Sequence, residues 1–259
     1  MSRKLSRIAV LVSVGRHPVS GVARYSRNDA AALEIGRMLS SQHAARLDVL
    51  HAGDPSNPAL EEYLALGAER VEVLACAEES DAVAALAVRL QDYELVLTGT
   101  CAEGAFDSGM LPYRLADALG LPLVGAAVDA TIAEGRVTVR QFLPKGVRRR
   151  VDAALPAVVA VHPLAGVTPR YAYARQRAGS IDTSPVSPPV SAEAAQWRVA
   201  AAQRKPVRLA AQEKRSGHAR MLSATTTESR GGSVVIEGTS VEKAQVILAY
   251  LREHQLIDY

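Results

Sequence analysis

The stretch that decides the fold begins Leu95-Val96-Leu97-Thr98-Gly99-Thr100-Cys101-Ala102-Glu103-Gly104-Ala105-Phe106-Asp107-Ser108-Gly109. It runs on from Met110 through Leu119 and closes on Gly120-Leu121-Pro122. A short apolar run ends on small residues, crosses a loop of small side chains and enters a helix. Asp107 or Ser108 is placed to cap that helix, Leu111, Leu115, Ala118 and Leu119 give it one apolar face, and Gly120 stops it. A strand, a small-residue loop and a free helix N-terminus together suit an anion such as a phosphate. The same letters also fit an ordinary strand-loop-helix turn, and one such turn does not decide between the two.

Working outward toward the N-terminus, the same grammar repeats. Ile8-Ala9-Val10-Leu11-Val12-Ser13-Val14 is a continuous apolar strand of the kind buried on both faces of a parallel sheet. A polar loop from Gly15 to Arg27 follows, and Asn28 or Asp29 caps a helix reaching about Ser41. Leu47 to Ala52 reads as a second strand, Pro58 to Leu66 as a helix stopped by Gly67, and Arg70 to Leu74 as a third strand. Asp81 to Leu90 is a helix leading into the strand at Leu95. Strands alternating with helices at this spacing predict a mostly parallel sheet covered on both faces, a three-layer α/β/α fold. Ligands of such sheets sit outside the carboxyl ends of the strands, here Ser13-Val14, Ala52-Gly53 and Gly99-Thr100. That convergence favours a nucleotide-type ligand without naming one.

Beyond Pro122 the pattern changes. Leu123 to Ile132 and Arg136 to Phe142 form a hairpin turned by Ala133-Glu134-Gly135. The basic run Lys145-Gly146-Val147-Arg148-Arg149-Arg150 reads as a solvated strand edge rather than a contact for phosphate or an acidic partner. Leu155 to Val161 is one more buried strand. After His162 no helix-strand pattern is expected until the end: Ser180 to Ser191 is rich in serine and proline and reads as a linker, and Ala192 to Arg230 is polar and basic, with the lone Trp197. Ser233 to Gly238 then reads as a short strand, and Thr239-Ser240-Val241-Glu242 is a capping box opening a last helix with Val241, Ala244, Ile247, Leu248 and Leu251 on one side. The expected division is a nucleotide-binding domain over residues 1–176 and an extended arm over 177–259. The arm comprises a linker over 177–231 and a strand and helix over 232–259 that dock on a partner chain.

Composition narrows the function. The 259 residues carry a net charge of +3, too little to argue for nucleic acid, and no basic strip is interleaved with aromatics. The basic N-terminus lacks the apolar core of a signal peptide, and no apolar run is long enough to span a membrane, so a cytoplasmic location is expected. Two cysteines, Cys76 and Cys101, suggest neither a disulfide framework nor a metal site, and the histidines are scattered. Ser108, Cys101 and His17 have no sequence partners that suggest an activated nucleophile.

In order along the chain, several segments resemble the electron transfer flavoprotein beta/FixA family. Ala65-Leu66-Gly67-Ala68-Glu69-Arg70 is similar to that family's A-x-G-A-D-R. Leu95 to Pro122 resembles its L-L-x-G-K-Q-A-I-D-x-D segment with the closing L-G-x-P. Leu155-Pro156-Ala157-Val158-Val159 resembles L-P-A-V-V, Pro169-Arg170-Tyr171-Ala172 resembles E-P-R-Y, and Asn28 to Leu39 more loosely matches the N-P-F-D-E helix start. The likeness covers about Arg7 to Arg177 and lies in the order and spacing of the segments.

The resemblance implies an adenine nucleotide alpha hydrolase-like fold and a non-enzymatic electron carrier. That carrier is a heterodimer with an electron transfer flavoprotein alpha subunit that holds most of one redox-active FAD. Electrons would come from a flavin dehydrogenase and leave to a quinone reductase. It also implies a structural AMP in this chain, or a second FAD in the bifurcating branch. Carried over by position, the cofactor contacts are Ser13, Ser26, Asn28, Asp29, Ala52, Gly99, Thr100, Cys101, Asp107, Ser108, Gly109, Met110 and Leu111. The partner-docking loop is Pro169, Arg170, Tyr171, Ala172, Tyr173 and Ala174. Departures accompany the match. The hairpin after the first strand is shortened to Gly15–Arg27, K-Q-A-I-D becomes Thr100 to Gly104, and one residue is inserted before Asp107. The usual docking leucine falls on Ala174, which leaves Tyr173 to take its role. The alternatives are a stand-alone nucleotide-binding signalling module of the same architecture, which predicts a shorter chain, and an ATP-activating enzyme, which needs a glycine-rich loop that Ser13 to Gly21 lacks.

Overall fold

A computed structural model describes residues 5–17, 19–77, 80–102, 108–191, 194–196, 198, 216–218, 221, 237–253 and 256–257. Two compact units divide the chain, Met1–Trp197 and Arg198–Tyr259. In the first, the elements run β1 (Arg7–Leu11), β2 (Val14–Arg16), β3 (Ala23–Tyr25), α1 (Arg27–His43), β4 (Arg46–Gly53) and α2 (Leu60–Ala65). They continue with β5 (Arg70–Ala75), α3 (Ala82–Arg89), β6 (Leu95–Gly99), α4 (Leu111–Leu119), β7 (Leu123–Ala133) and β8 (Arg136–Phe142). β9 (Arg148–Ala154), β10 (Ala157–Val161), α5 (Tyr173–Ala178) and β11 (Ser180–Pro185) complete it.

Nine strands form one sheet in the order β11-β5-β4-β1-β6-β10-β7-β8-β9, and β2 pairs with β3 separately. Within the large sheet only the β7–β8 and β8–β9 pairings are antiparallel, so the expected mostly parallel sheet is present. Alternation along each strand divides the core in two. Ile8, Val10, Val49, Val71, Leu95, Leu97 and Val159 face α1 and α2 through Leu33, Ile35, Leu39, Leu60 and Tyr63. Ala9, Leu11, Leu50, Leu74, Val96 and Val158 face α3 and α4 through Val83, Leu86 and Leu115. These continuous apolar strands are buried from both sides, which is why they read as unbroken hydrophobic runs. Gly36 lets α1 lie directly on β1, since a methyl group there would stand 2.7 Å from Val10 Cγ2.

Several expectations are corrected in detail. β1 stops at Leu11 instead of running to Val14. Val12 N–H still donates to Leu50 O, but the next peptide groups bond to side chains and leave the ladder. Val14–Arg16 turns away to pair with Ala23–Tyr25 inside what reads as a polar loop. The cap of α1 is Ser26, whose hydroxyl accepts from Asp29 N, because the side chains of Asn28 and Asp29 point inward. α4 begins after Met110 with no side-chain cap; Ser108 Oγ only accepts from Met110 N at 3.4 Å.

The serine- and proline-rich stretch read as a linker contains a strand. Ser180 to Pro185 pairs in parallel with Arg70 to Ala75 at the sheet edge, and Arg70 bridges to Asp182 at 3.1 Å. An edge strand pairs on one side only, so it tolerates polar residues and proline that an interior strand would not. A helix, α5, also forms after His162, where none is expected. At the opposite edge Arg148, Arg149 and Arg150 lie exposed on β9, the solvated strand edge that their charge suggests.

In the second unit, α6 (Ser240–Glu253) opens on the expected capping box. Thr239 N donates to Glu242 Oε2 at 2.7 Å and Glu242 N to Thr239 Oγ1 at 3.3 Å. The strand expected from Ser233 to Gly238 falls largely outside the described residues, as does Trp197.

Candidate functional site

β1 is where the sheet reverses direction. The chain passes from β1 through α1 and α2 to β4 and β5 on one side, then crosses by α3 to β6 on the other. The carboxyl ends of β1 and β6 therefore flank the crevice where open α/β sheets bind ligands.

Asp29 joins those two ends. Its Oδ2 accepts from Ser13 N at 2.7 Å and from Ser13 Oγ at 2.5 Å, and its Oδ1 accepts from Gly99 N at 3.0 Å. A side chain on Gly99 would collide with this arrangement: a Cβ would stand 2.3 Å from Asp29 Oδ1 and 2.7 Å from Asn28 Cβ. Burial raises the Asp29 carboxyl from its ordinary range to about 7, against the hydrogen bonds from Ser13, Gly99 and Ser26 that favour the charged form.

Two further side chains fix the same end of β1. The Tyr63 hydroxyl donates to Ser13 O at 2.6 Å and accepts from Ser26 N at 2.9 Å. His51 Nδ1 lies 2.8 Å from Val12 O. Three consecutive polar groups, Val12 C=O, Ser13 N–H and Ser13 C=O, are thus held by residues of β4, α1 and α2. Backbone groups this deep need partners, and side chains supply them where the ladder ends.

On the β6 side, Asn28 Nδ2 donates to Cys101 Sγ at 2.9 Å and to Cys101 O at 3.3 Å. Gly109, at φ +64°, lies against the same exit, where a Cβ would come within 3.1 Å of Thr100 O. Cys101 and Gly109, on either side of the stretch before α4, are therefore held at the end of β6.

Ser13, Ser26, Asn28, Asp29, Gly99 and Cys101 are brought together by direct bonds, and Thr100 and Gly109 by contact. Ala52 lies half-buried one residue before the end of β4, Ser108 and Met110 are exposed, and Leu111 opens α4 packed against the core. Asp107 lies outside the described residues. The side chains of Ser26 and Asp29 are taken up by bonds within the chain, so any ligand contact by these two runs through their backbone. The arrangement offers hydroxyl, amide and backbone groups around a glycine-lined exit, which suits holding a polar ligand.

Sequence reasoning missed Tyr63 and His51. Tyr63 sits in an apolar helical run that reads as core, and His51 is one scattered histidine at a strand end. Neither gives a local signal, because the partners lie 50 and 39 residues away.

The loop expected to dock a partner is anchored by its backbone and exposed by its rings. Ala172 N donates to Ala65 O at 2.9 Å, while Tyr171 and Tyr173 are 56% and 66% exposed. A broad groove at the amino ends of β4 and β5 is lined by Arg37, Arg46, Arg70 and Arg175. It lies at the wrong end of the sheet for the crevice, and three of its arginines are paired with Glu34, Asp48 and Asp182.

Comparison with known proteins adds two findings. The family model described as "Electron transfer flavoprotein domain" matches residues 20–189. The electron transfer flavoprotein subunit beta of Chromohalobacter salexigens is 36% identical over 257 residues, covering 96% of this chain and 95% of that protein.

Proposed function

The chain belongs to the electron transfer flavoprotein family, and from that premise we propose how this beta subunit serves a heterodimer. Beta subunits of this family are non-catalytic parts of an electron carrier and associate with FAD through the alpha subunit. In our reading a structural AMP sits at the carboxyl ends of β1, β4 and β6, on the adenine nucleotide alpha hydrolase-like domain formed by the sheet. The observation that carries this reading is the Asp29 bridge between Ser13 and Gly99, which holds the crevice at the switch point in one geometry.

The residues fit such a nucleotide. At the exit of β6 Gly99 makes room for the Asp29 carboxyl and Gly109 for the Thr100 carbonyl, Thr100 and Ser108 bring hydroxyls, and the start of α4 offers free N–H groups to an anion. FAD, when bound with the alpha subunit, supplies the electron chemistry. This chain's residues supply scaffold, nucleotide seat and docking surface. Tyr171 and Tyr173 stand out from a backbone-anchored loop and are the contacts for a flavin dehydrogenase donor, with a membrane quinone reductase as acceptor. The terminal arm docks on the alpha subunit through α6. The carrier works in the cytoplasm, and among the described residues no helix is long and apolar enough to cross a membrane.

Co-expression with the alpha subunit, purification and release of bound nucleotide by denaturation test the reading. One FAD and one AMP per heterodimer are expected. Two FAD would replace AMP with a second flavin in this chain, and a folded monomer carrying ATP without flavin would overturn the carrier assignment.

A further inference from the structure

His51 is 8% exposed, and its ring has two different edges. Nδ1 faces Val12 O at 2.8 Å, and a carbonyl only accepts, so the ring hydrogen sits on Nδ1 and Nε2 keeps its lone pair. Burial moves the imidazole below its ordinary pKa, which keeps this neutral tautomer in place at pH 7. Nε2 has no hydrogen-bond partner among the described residues. Nε2 itself keeps exposed surface, so it is an acceptor that a ligand can reach.

The neighbouring glycine explains what keeps Nε2 open. A Cβ on Gly53 would stand 2.8 Å from Nε2, and Gly53 adopts φ +153°, a conformation side chains disfavour. Any larger residue would cover the nitrogen. The open edge lies at the carboxyl end of β4, beside Ala52. Through Val12 it is one residue from Ser13, the centre of the clamped crevice.

We propose that His51 Nε2 reads the base of the bound nucleotide, accepting a hydrogen bond from the exocyclic amine of an adenine ring lying over Gly53. The proposal rests on the adenine nucleotide reading above and assigns that nucleotide its specificity. Adenine presents an amine where guanine presents a carbonyl oxygen. With guanine, two acceptors would face one another and no hydrogen bond would form.

Side-chain geometry separates the two ring edges. Asparagine places its amide nitrogen near the position of Nδ1 and nothing near Nε2. Glutamine places its amide oxygen near Nε2 and gives up the Val12 bond. The experiment is calorimetric titration of nucleotide-stripped heterodimer with AMP and with GMP, for wild type, His51→Asn, His51→Gln and Gly53→Ala. Wild type is expected to favour AMP about tenfold or more. His51→Asn should lose that preference with the fold intact by circular dichroism, His51→Gln should keep much of it, and Gly53→Ala should weaken AMP by crowding Nε2. Folded His51→Asn heterodimer that still prefers AMP as wild type does overturns the proposal and leaves the nucleotide site standing. Should His51→Asn not fold, Gly53→Ala binding AMP like wild type overturns it equally. A wild-type heterodimer that binds no adenine nucleotide sinks the underlying reading first.

Discussion

The hydroxyl of Tyr63 lies 2.6 Å from the carbonyl oxygen of Ser13 and receives the N–H of Ser26 at 2.9 Å, so one phenol closes the end of β1 onto the start of α1. Tyr63 is fully buried, edge-on to Tyr25, and comes from α2, whose Glu62 also accepts from Tyr25 N at 3.0 Å. The end of β1 is therefore held in part by a helix that follows β4 in the chain.

Tyr63→Phe removes that single oxygen while conserving the ring. Ser26 N–H, on a fully buried residue, and Ser13 C=O lose their shared partner, and a cost of about 1–3 kcal/mol is expected. Thermal unfolding of the heterodimer measures the loss, and the AMP content of purified protein should fall with it. Unchanged stability together with unchanged AMP would show that the phenol is not holding the crevice.

How much of this was legible in the sequence follows from where each bond begins and ends. Ile8 to Leu11 and Leu95 to Gly99 announce themselves as buried strands because both of their faces are apolar. Gly120 announces the end of α4 through its own left-handed φ of +63°. Asn28 and Asp29 stand out at a helix start, but their bonds to the ends of β1 and β6 do not. The residue types that cap a helix are also those that turn inward to bond with a neighbouring strand, and only Ser26 does the capping. Ser180 to Pro185 carries no strand pattern because an edge strand needs only Ile181 to face the core and satisfies its backbone through β5. The clamp by Tyr63 and His51 is a product of the folded sheet order, which places β4 and α2 beside the end of β1.

Gly99 should tolerate no side chain. An added methyl group would meet Asp29 Oδ1 at 2.3 Å and the Asn28 backbone at 3.3 Å, and neither is a flexible side-chain tip. Gly99→Ala is expected to cost about 1–3 kcal/mol by overpacking and to release AMP. Gly36→Ala is the informative contrast, because its methyl group would meet Val10 and Leu97 in the core. It should lower the melting temperature as well, while leaving the AMP content of the folded protein near wild type.

The Asp29 carboxyl gives stability a defined pH dependence. Its ordinary value is 3.8 and burial raises it to about 7 in the folded chain. Between those values the folded chain holds a proton that the unfolded chain has released. The stabilisation is therefore complete below the unfolded value and is lost as pH rises through the folded one, with the group contributing no slope above it. The total should be on the order of a few kcal/mol, read from unfolding midpoints across the window. Asp29→Asn cannot titrate and should flatten that part of the curve, while its amide hydrogens face the donors of Ser13 or Gly99 and lower stability throughout. A variant that keeps the wild-type slope would assign the titration to another group.

The exposed stripe of α6 predicts how the heterodimer is held. Val241 and Ile247 are 64% and 61% exposed, and no residue of this helix is buried, although the capping box fixes its start. Val241, Ala244, Ile247, Leu248 and Leu251 fall at helical spacing on one side, the pattern of a face made to be covered. Ile247→Glu puts a charge in the middle of that stripe and touches none of the bonds that form β1 to β11. Expressed with the alpha subunit, this variant should lose heterodimer on size-exclusion chromatography, with flavin absorbance separating from the beta chain. Its far-ultraviolet circular dichroism should remain that of the wild-type beta subunit. Thr239→Ala should act in the same direction more weakly, since losing a cap costs about 1 kcal/mol of helix stability. A fully assembled Ile247→Glu heterodimer would place the docking of the alpha subunit elsewhere on the chain.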